Sequence, residues 1–138
     1  MPISTIILVA LACYFLGNHN GAICVSHMLH DDVREHGSGN AGLTNFMRQF
    51  GPSKGIWVLV IDIGKAVLAC LFGKLLFAPL GYPMEGVMVG AVAVSLGHDF
   101  PALLGFHGGK GIVCHRGLAL SVTKGHIVSY PVFVTLNT

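Results

Sequence analysis

The chain has 138 residues, of which 53% are hydrophobic and only 10% charged, with a formal net charge of +2 and a mean hydropathy of +0.71. A typical soluble domain is about 25% charged. A soluble core would need polar faces on its helices, and the apolar runs here have almost none. The composition therefore excludes an ordinary soluble domain and predicts one all-α integral membrane domain over residues 1–138, a polytopic helix bundle in the lipid bilayer.

In chain order, residues 3–29 are an apolar run interrupted by Asn18-His19-Asn20-Gly21, which predicts one membrane helix that is locally polar near its middle. No Lys or Arg precedes the run, as the start of a secretory signal would require. Ala10-Leu11-Ala12-Cys13 faintly resembles a lipoprotein cleavage site, but apolar sequence continues beyond it.

A polar loop over residues 30–54 follows, containing Gly-Ser-Gly-Asn-Ala-Gly-Leu-Thr-Asn at residues 37–45. Gly37, Gly39 and Gly42 allow a backbone to approach a ligand closely, while Ser38, Asn40, Thr44 and Asn45 crowd hydroxyl and amide groups into the same few residues. The formal G-x-G-x-x-G match needs a preceding strand to bind a dinucleotide. What precedes it is the charged Asp31-Asp32-Val33-Arg34-Glu35-His36, so the stretch reads as a general anion-binding loop. Arg48 lies three residues after Asn45, where a helical turn would carry its guanidinium back towards the glycines to pair with a phosphate. Alone it reads equally as an ordinary loop arginine.

Residues 55–78 form the clearest span and carry Asp62 and Lys65 three residues apart on one face. Charges at that depth pair and face the bundle interior, either as an ion pair joining helices or as site residues. Lys74 is placed to reach the opposite interface. After the turn Leu80-Gly81-Tyr82-Pro83, residues 84–96 make a third, shorter span, followed by Gly97-His98-Asp99-Phe100-Pro101. Phe106-His107-Gly108-Gly109-Lys110-Gly111 then sets a cation among three glycines, which suits a phosphate. It is not a P-loop, because Leu104 stands five before Gly109 and Gly111 replaces the Ser or Thr. A fourth helix is predicted around residues 112–134.

Cys13, Cys24, Cys70 and Cys114 form no C-x-x-C pair, and the eight histidines form no H-E-x-x-H pair, so neither a disulfide framework nor a metal is expected. Arg34, Arg48 and Lys54 in the first loop and Lys110, Arg116 and Lys124 beyond the third span carry six of the eight basic side chains. The positive-inside rule then turns both glycine-rich loops to the cytoplasm and the N-terminus outward.

Residues 32–48, Asp-Val-Arg-Glu-His-Gly-Ser-Gly-Asn-Ala-Gly-Leu-Thr-Asn-Phe-Met-Arg, resemble the first signature of the bacterial acyl-phosphate:glycerol-3-phosphate acyltransferases. Asp62-Ile63-Gly64-Lys65 resembles that family's Asp-x-x-Lys helix, and Gly97 to Pro101 with Phe106 to Gly111 resembles its second signature. The resemblance covers roughly the first 113 residues. It implies a multi-pass bacterial inner-membrane enzyme of phospholipid synthesis that moves a fatty acyl group from acyl phosphate to the sn-1 hydroxyl of glycerol 3-phosphate. By that resemblance Ser38 and Arg48 are catalytic or phosphate-anchoring. Gly37, Gly39, Asn40, Thr44, Asn45, His98, Gly108, Gly109, Lys110 and Gly111 hold substrate phosphate. No metal, CoA or other cofactor is implied, and no nucleic-acid partner. Leu43 and His107 stand where relatives commonly have Ala and Lys. The family's third signature, with a His and an Asn, has no match after Val113. That departure leaves an alternative in which the chain is a shortened, phosphate-binding remnant, or a subunit completed by an unknown partner.

Overall fold

In the computed structural model, residues 2–108 are described. They form five α-helices: α1 (Ile3–Gly17), α2 (Gly21–Met28), α3 (Leu43–Phe50), α4 (Pro52–Phe77) and α5 (Pro83–Asp99). Short 3₁₀ turns occur at Val33–Glu35, Ala78–Leu80 and Ala102–Leu104, and no strand occurs among the described residues. The all-helical membrane architecture read from composition is thus the one observed. The predicted fourth span lies outside the described residues.

Helices α4 and α5 form an antiparallel hairpin, each opened by a proline at its first position, where the missing N–H would have no partner. Small residues let the two backbones touch: Gly73 meets Gly86, and Gly90 meets Ala69. Helix α1 runs antiparallel to α4, with Cys13 beside the Ala69 carbonyl. Val9 and Cys13 of α1, Ala66, Ala69 and Phe77 of α4, and Ala93 and Val94 of α5 make one core cluster. Outside it, Ile7, Leu11 and Phe15 of α1, Trp57, Leu68 and Leu75 of α4, and Met88 and Val92 of α5 are exposed. An apolar exterior around a small-residue core is what a lipid solvent demands.

The first span departs from the single helix read in the sequence. α1 and α2 meet at a 43° bend, and they are long and apolar enough to cross a membrane only as a pair. Part of the reason is local: Asn20 has an extended backbone, and its side chain accepts from the Ile23 N–H as the N-cap of a new helix. α5 also stops early. Its last turn meets α4 at Lys65 and Asp62, about 15–20 Å along α4 from Pro52 at 1.5 Å per residue. Above that level a second core cluster fills the space. It is built from Ala22, Ile23 and Val25 of α2, Val33 and Ala41 of the loop, Phe46 of α3 and Val58 of α4, with Leu104 packed against it.

Candidate functional site

The polar loop and the segment after α5 share one end of the bundle, because the α4–α5 hairpin returns the chain to the end where α4 began. Two layers of polar contacts organise that end.

The upper layer is the loop. Buried Asn45 sits at its centre, its Nδ2 donating to the carbonyls of Val33 (3.2 Å), His36 (3.0 Å) and Asn40 (3.1 Å), while its Oδ1 accepts from the Ser38 N–H at 3.2 Å. This wraps residues 33–40 around one side chain. Gly37 and Gly39 take φ of 57° and 70°, and a Cβ at Gly37 would collide with Asn45 and Gln49. From below, Asn20 Nδ2 donates to the Ala41 carbonyl at 2.9 Å, and Ser26 Oγ accepts from the Val33 N–H at 3.2 Å. Asp32 and Arg34 pair closely, with Nη2 2.5 Å from Oδ2. The hydrogen bonds from Arg34 hold the Asp32 carboxyl well below the usual carboxylate range, and that from His36 lowers Asp31.

Helix α3 starts at Gly42 with no side chain capping it. The N–H groups of Leu43, Thr44 and Asn45 therefore lack intrahelical acceptors, and the positive end of the helix dipole points out of the loop. Thr44 is exposed, as is Ser38, whose N–H is held by the Asn45 side chain, and Asn40 is half-buried. A helix N-terminus with hydroxyls alongside is an anion site by its physics. Ser38 Oγ accepts from the Asn40 N–H at 3.4 Å and meets no histidine or carboxylate among the described residues. Arg48 falls on the last turn of α3, exposed and at the end away from those N–H groups, and the side chain that approaches Gly37 is Gln49. The helical turn read in the sequence is present, but it brings back a different residue.

The lower layer is a buried charge cluster at the break between α1 and α2. Asp62 and Lys65 pair at 3.0 Å with side chains only 4% exposed. Lys65 Nζ also donates to the carbonyls of Gly17 (3.3 Å) and His19 (2.7 Å) and approaches His98 Nδ1 at 2.6 Å. Asp62 Oδ1 accepts from the Gly21 N–H at 3.1 Å. His98, one of the phosphate-binding candidates, is thus buried within this cluster. Gly108 packs on the carbonyls of His98 and Asp99, where a Cβ would overlap them. Gly109, Lys110 and Gly111 lie outside the described residues.

Three positioning groups were not singled out in the sequence. Tyr14 OH donates to the Phe100 carbonyl at 2.7 Å and accepts from the Ala102 N–H at 3.1 Å, and Asn18 Oδ1 accepts from the Leu103 N–H at 3.1 Å. Asn20 is the third. The available signal was two asparagines flanking His19 inside an apolar run, which read as a polar patch and not as caps.

The fold and these two layers define an α-helical integral membrane protein with a glycine-rich polar loop carried on one end of its bundle. Comparison with known proteins narrows the class. The family model described as glycerol-3-phosphate acyltransferase matches residues 7–137, extending beyond the second signature. A glycerol-3-phosphate acyltransferase of Finegoldia magna is 35% identical over 116 residues, covering 83% of this chain and 56% of that protein. Its counterpart in Anaeromyxobacter sp. is 42% identical over 109 residues, covering 72% and 53%. The crystal structure of PlsY, an integral membrane glycerol 3-phosphate acyltransferase, in its glycerol 3-phosphate form superimposes with a TM-score of 0.73 at 27% identity, covering 86% of this chain and 58% of that one. The chain belongs to the glycerol-3-phosphate acyltransferase family. It spans a little over half the length of the relatives it matches.

Proposed function

We propose that this chain carries the phosphate-binding half of an acyltransferase site, which transfers a fatty acyl group from acyl phosphate to the sn-1 hydroxyl of glycerol 3-phosphate. The products are lysophosphatidic acid and inorganic phosphate. The observation that supports this best is the uncapped N-terminus of α3 beside Ser38, on a bundle whose exterior is apolar. Both substrates bear phosphate, and one bears a fatty tail that partitions into the surrounding lipid. In the transfer, the glycerol hydroxyl oxygen bonds to the acyl carbonyl carbon, the carbon–oxygen bond to phosphate breaks, and the departing phosphate can take the hydroxyl proton. With so good a leaving group, the protein has to align the hydroxyl and stabilise oxyanion charge. The N–H groups of Leu43 and Thr44 and the Ser38 hydroxyl are suited to that task. A covalent acyl-serine is disfavoured because Ser38 has no neighbouring base among the described residues.

In this reading Arg48 supplies charge at the rim, and Lys110, among Gly108, Gly109 and Gly111, holds the second phosphate. The basic residues of both loops set them on the cytoplasmic face of a bacterial cell membrane. The test is transfer from palmitoyl phosphate to labelled glycerol 3-phosphate by membranes containing the 138-residue chain. Ser38→Ala is expected to lower kcat by about 100-fold or more, the scale of one lost oxyanion donor, and Lys110→Ala to raise the glycerol 3-phosphate KM. No transfer by inserted wild-type protein would overturn the activity for this chain.

A further inference from the structure

The Asp62–Lys65 pair has an orientation, and the broken first span explains it. A helix interrupted inside a membrane exposes two sets of unpaired backbone groups, carbonyls at the end of its first half and N–H groups at the start of its second. Here Lys65 takes the carbonyls of Gly17 and His19 at the end of α1, and Asp62 takes the Gly21 N–H at the start of α2. Each charge thus faces the dipole end of opposite sign. The same Lys65 ammonium reaches His98 in the last turn of α5, so one side chain joins three helices at the level where two of them end. Directly above, Asn20 and Gly21 lead into the helix that carries the Ser38 loop, and His98 leads into the second glycine segment.

We infer that Asp62 and Lys65 are positioning residues, a dipole-matched tie that sets the break in the first span and thereby fixes the Ser38 loop and the described segment after α5 relative to each other. Substrate does not touch them. The tie itself stands on the geometry alone. Its consequence for turnover rests on the acyl-transfer reading above.

The matching makes a directional prediction that an ordinary ion pair does not. Exchanging the two charges, Asp62→Lys with Lys65→Asp, would keep a pair but set a carboxylate against the Gly17 and His19 carbonyls and an ammonium against the Gly21 N–H. The test uses the inserted full chain, with its native cysteines replaced and spin labels at the exposed positions Met47 and Leu103, in wild type, Lys65→Met, Asp62→Asn and the exchanged double variant. The expected result is a broadened or shifted label distance in Lys65→Met and in the exchanged variant, with a fall in kcat of about 100-fold at little-changed KM, the scale of a small misplacement far from the reacting atoms. Asp62→Asn keeps an oxygen for the Gly21 N–H but removes the carboxylate charge opposite the start of α2 and the counter-charge of Lys65, so a broadening smaller than in Lys65→Met is expected. That variant also carries the test where the others fail to accumulate in membranes: a wild-type distance distribution in Asp62→Asn overturns the charge matching. So does an unchanged distance in Lys65→Met, or an exchanged variant that recovers the wild-type distance. If wild type proves inactive while the distances behave as expected, the acyl-transfer reading has failed and the tie has not.

Discussion

At the scale of single residues, Asn45 shows how a side chain that resembles a ligand contact can be committed to the loop itself. Its amide hydrogens are shared among three backbone carbonyls, and its oxygen takes the Ser38 N–H. Replacing Asn45 by Ala leaves buried carbonyls unsatisfied, at about 1–3 kcal/mol for such a group. Asn45→Asp is expected to be worse, because it retains the acceptor for Ser38 but turns an anionic oxygen on those carbonyls. Hydrogen exchange of the Ser38 and Gly39 amides in nanodiscs would read the difference, and wild-type protection in Asn45→Asp would remove Asn45 as the organiser. The residue types in residues 37–45 made a glycine-rich polar loop legible in the sequence. Which amide faces a ligand and which faces the loop was not, because that depends on the path of the backbone from Val33 to Ala41. The same holds for Asp32, whose partner lies two residues away yet whose pairing sequence alone does not fix. Its carboxyl is lowered chiefly by the Arg34 hydrogen bonds from a reference of 3.8. A depressed carboxyl contributes stability that is present above its unfolded value and is lost only as pH falls through the folded value, so this pair holds from neutral pH to well below 3.8. Arg34→Ala should return Asp32 towards that value and move the acid-induced opening of the loop to higher pH. Limited proteolysis of residues 31–42 across a pH series measures the shift, and an unchanged opening pH would show that the pair does not hold the loop.

At the scale of elements, glycine has opposite meanings along one helix. Gly73 and Gly64 both lie inside α4, each one residue before a lysine, and nothing in the sequence tells which of them packs against a neighbouring helix. In the structure a Cβ at Gly73 would overlap the Gly86 backbone of α5, while around Gly64 nothing lies within 4 Å. Gly73→Ala is therefore expected to splay α4 from α5 and destabilise by about 1–3 kcal/mol, the range for overpacking a close contact. Gly64→Ala should be neutral, or stabilise by about 0.5–1 kcal/mol through helix propensity. Thermal unfolding in detergent distinguishes them, and a Gly73→Ala midpoint at or above that of wild type would refute close backbone packing as the glue of the hairpin. The spans themselves were legible because apolar run length is set by the bilayer. The break at Asn18-His19-Asn20 was not, because the groups that stabilise its exposed helix ends come from Lys65 and Asp62, more than 40 residues on.

At the scale of the whole molecule, the number of crossings decides which segments can work together. α4 and α5 form one out-and-back pair between the Ser38 loop and the segment after Pro101, so these two must share a side whatever their sequence. Tyr14 and Asn18 then draw the second segment against the first span, and Leu104 packs under the loop. The turn at Ala78–Leu80 and the start of α1 lie at the other end. Which end faces the cytoplasm depends on charge: Arg34, Arg48 and Lys54 flank the loop, while the turn between α4 and α5 carries no Lys or Arg. Single cysteines introduced at Ser38, Leu103 and Tyr82, each exposed, make this measurable with a membrane-impermeant maleimide on intact spheroplasts and on inverted vesicles. Positions 38 and 103 are expected to react only in inverted vesicles and position 82 only in spheroplasts. Reaction of 38 and 103 from opposite sides would contradict the hairpin itself. Reaction of both from outside would leave the fold intact and reverse its orientation, and with it the compartment from which the phosphate-bearing substrates must arrive.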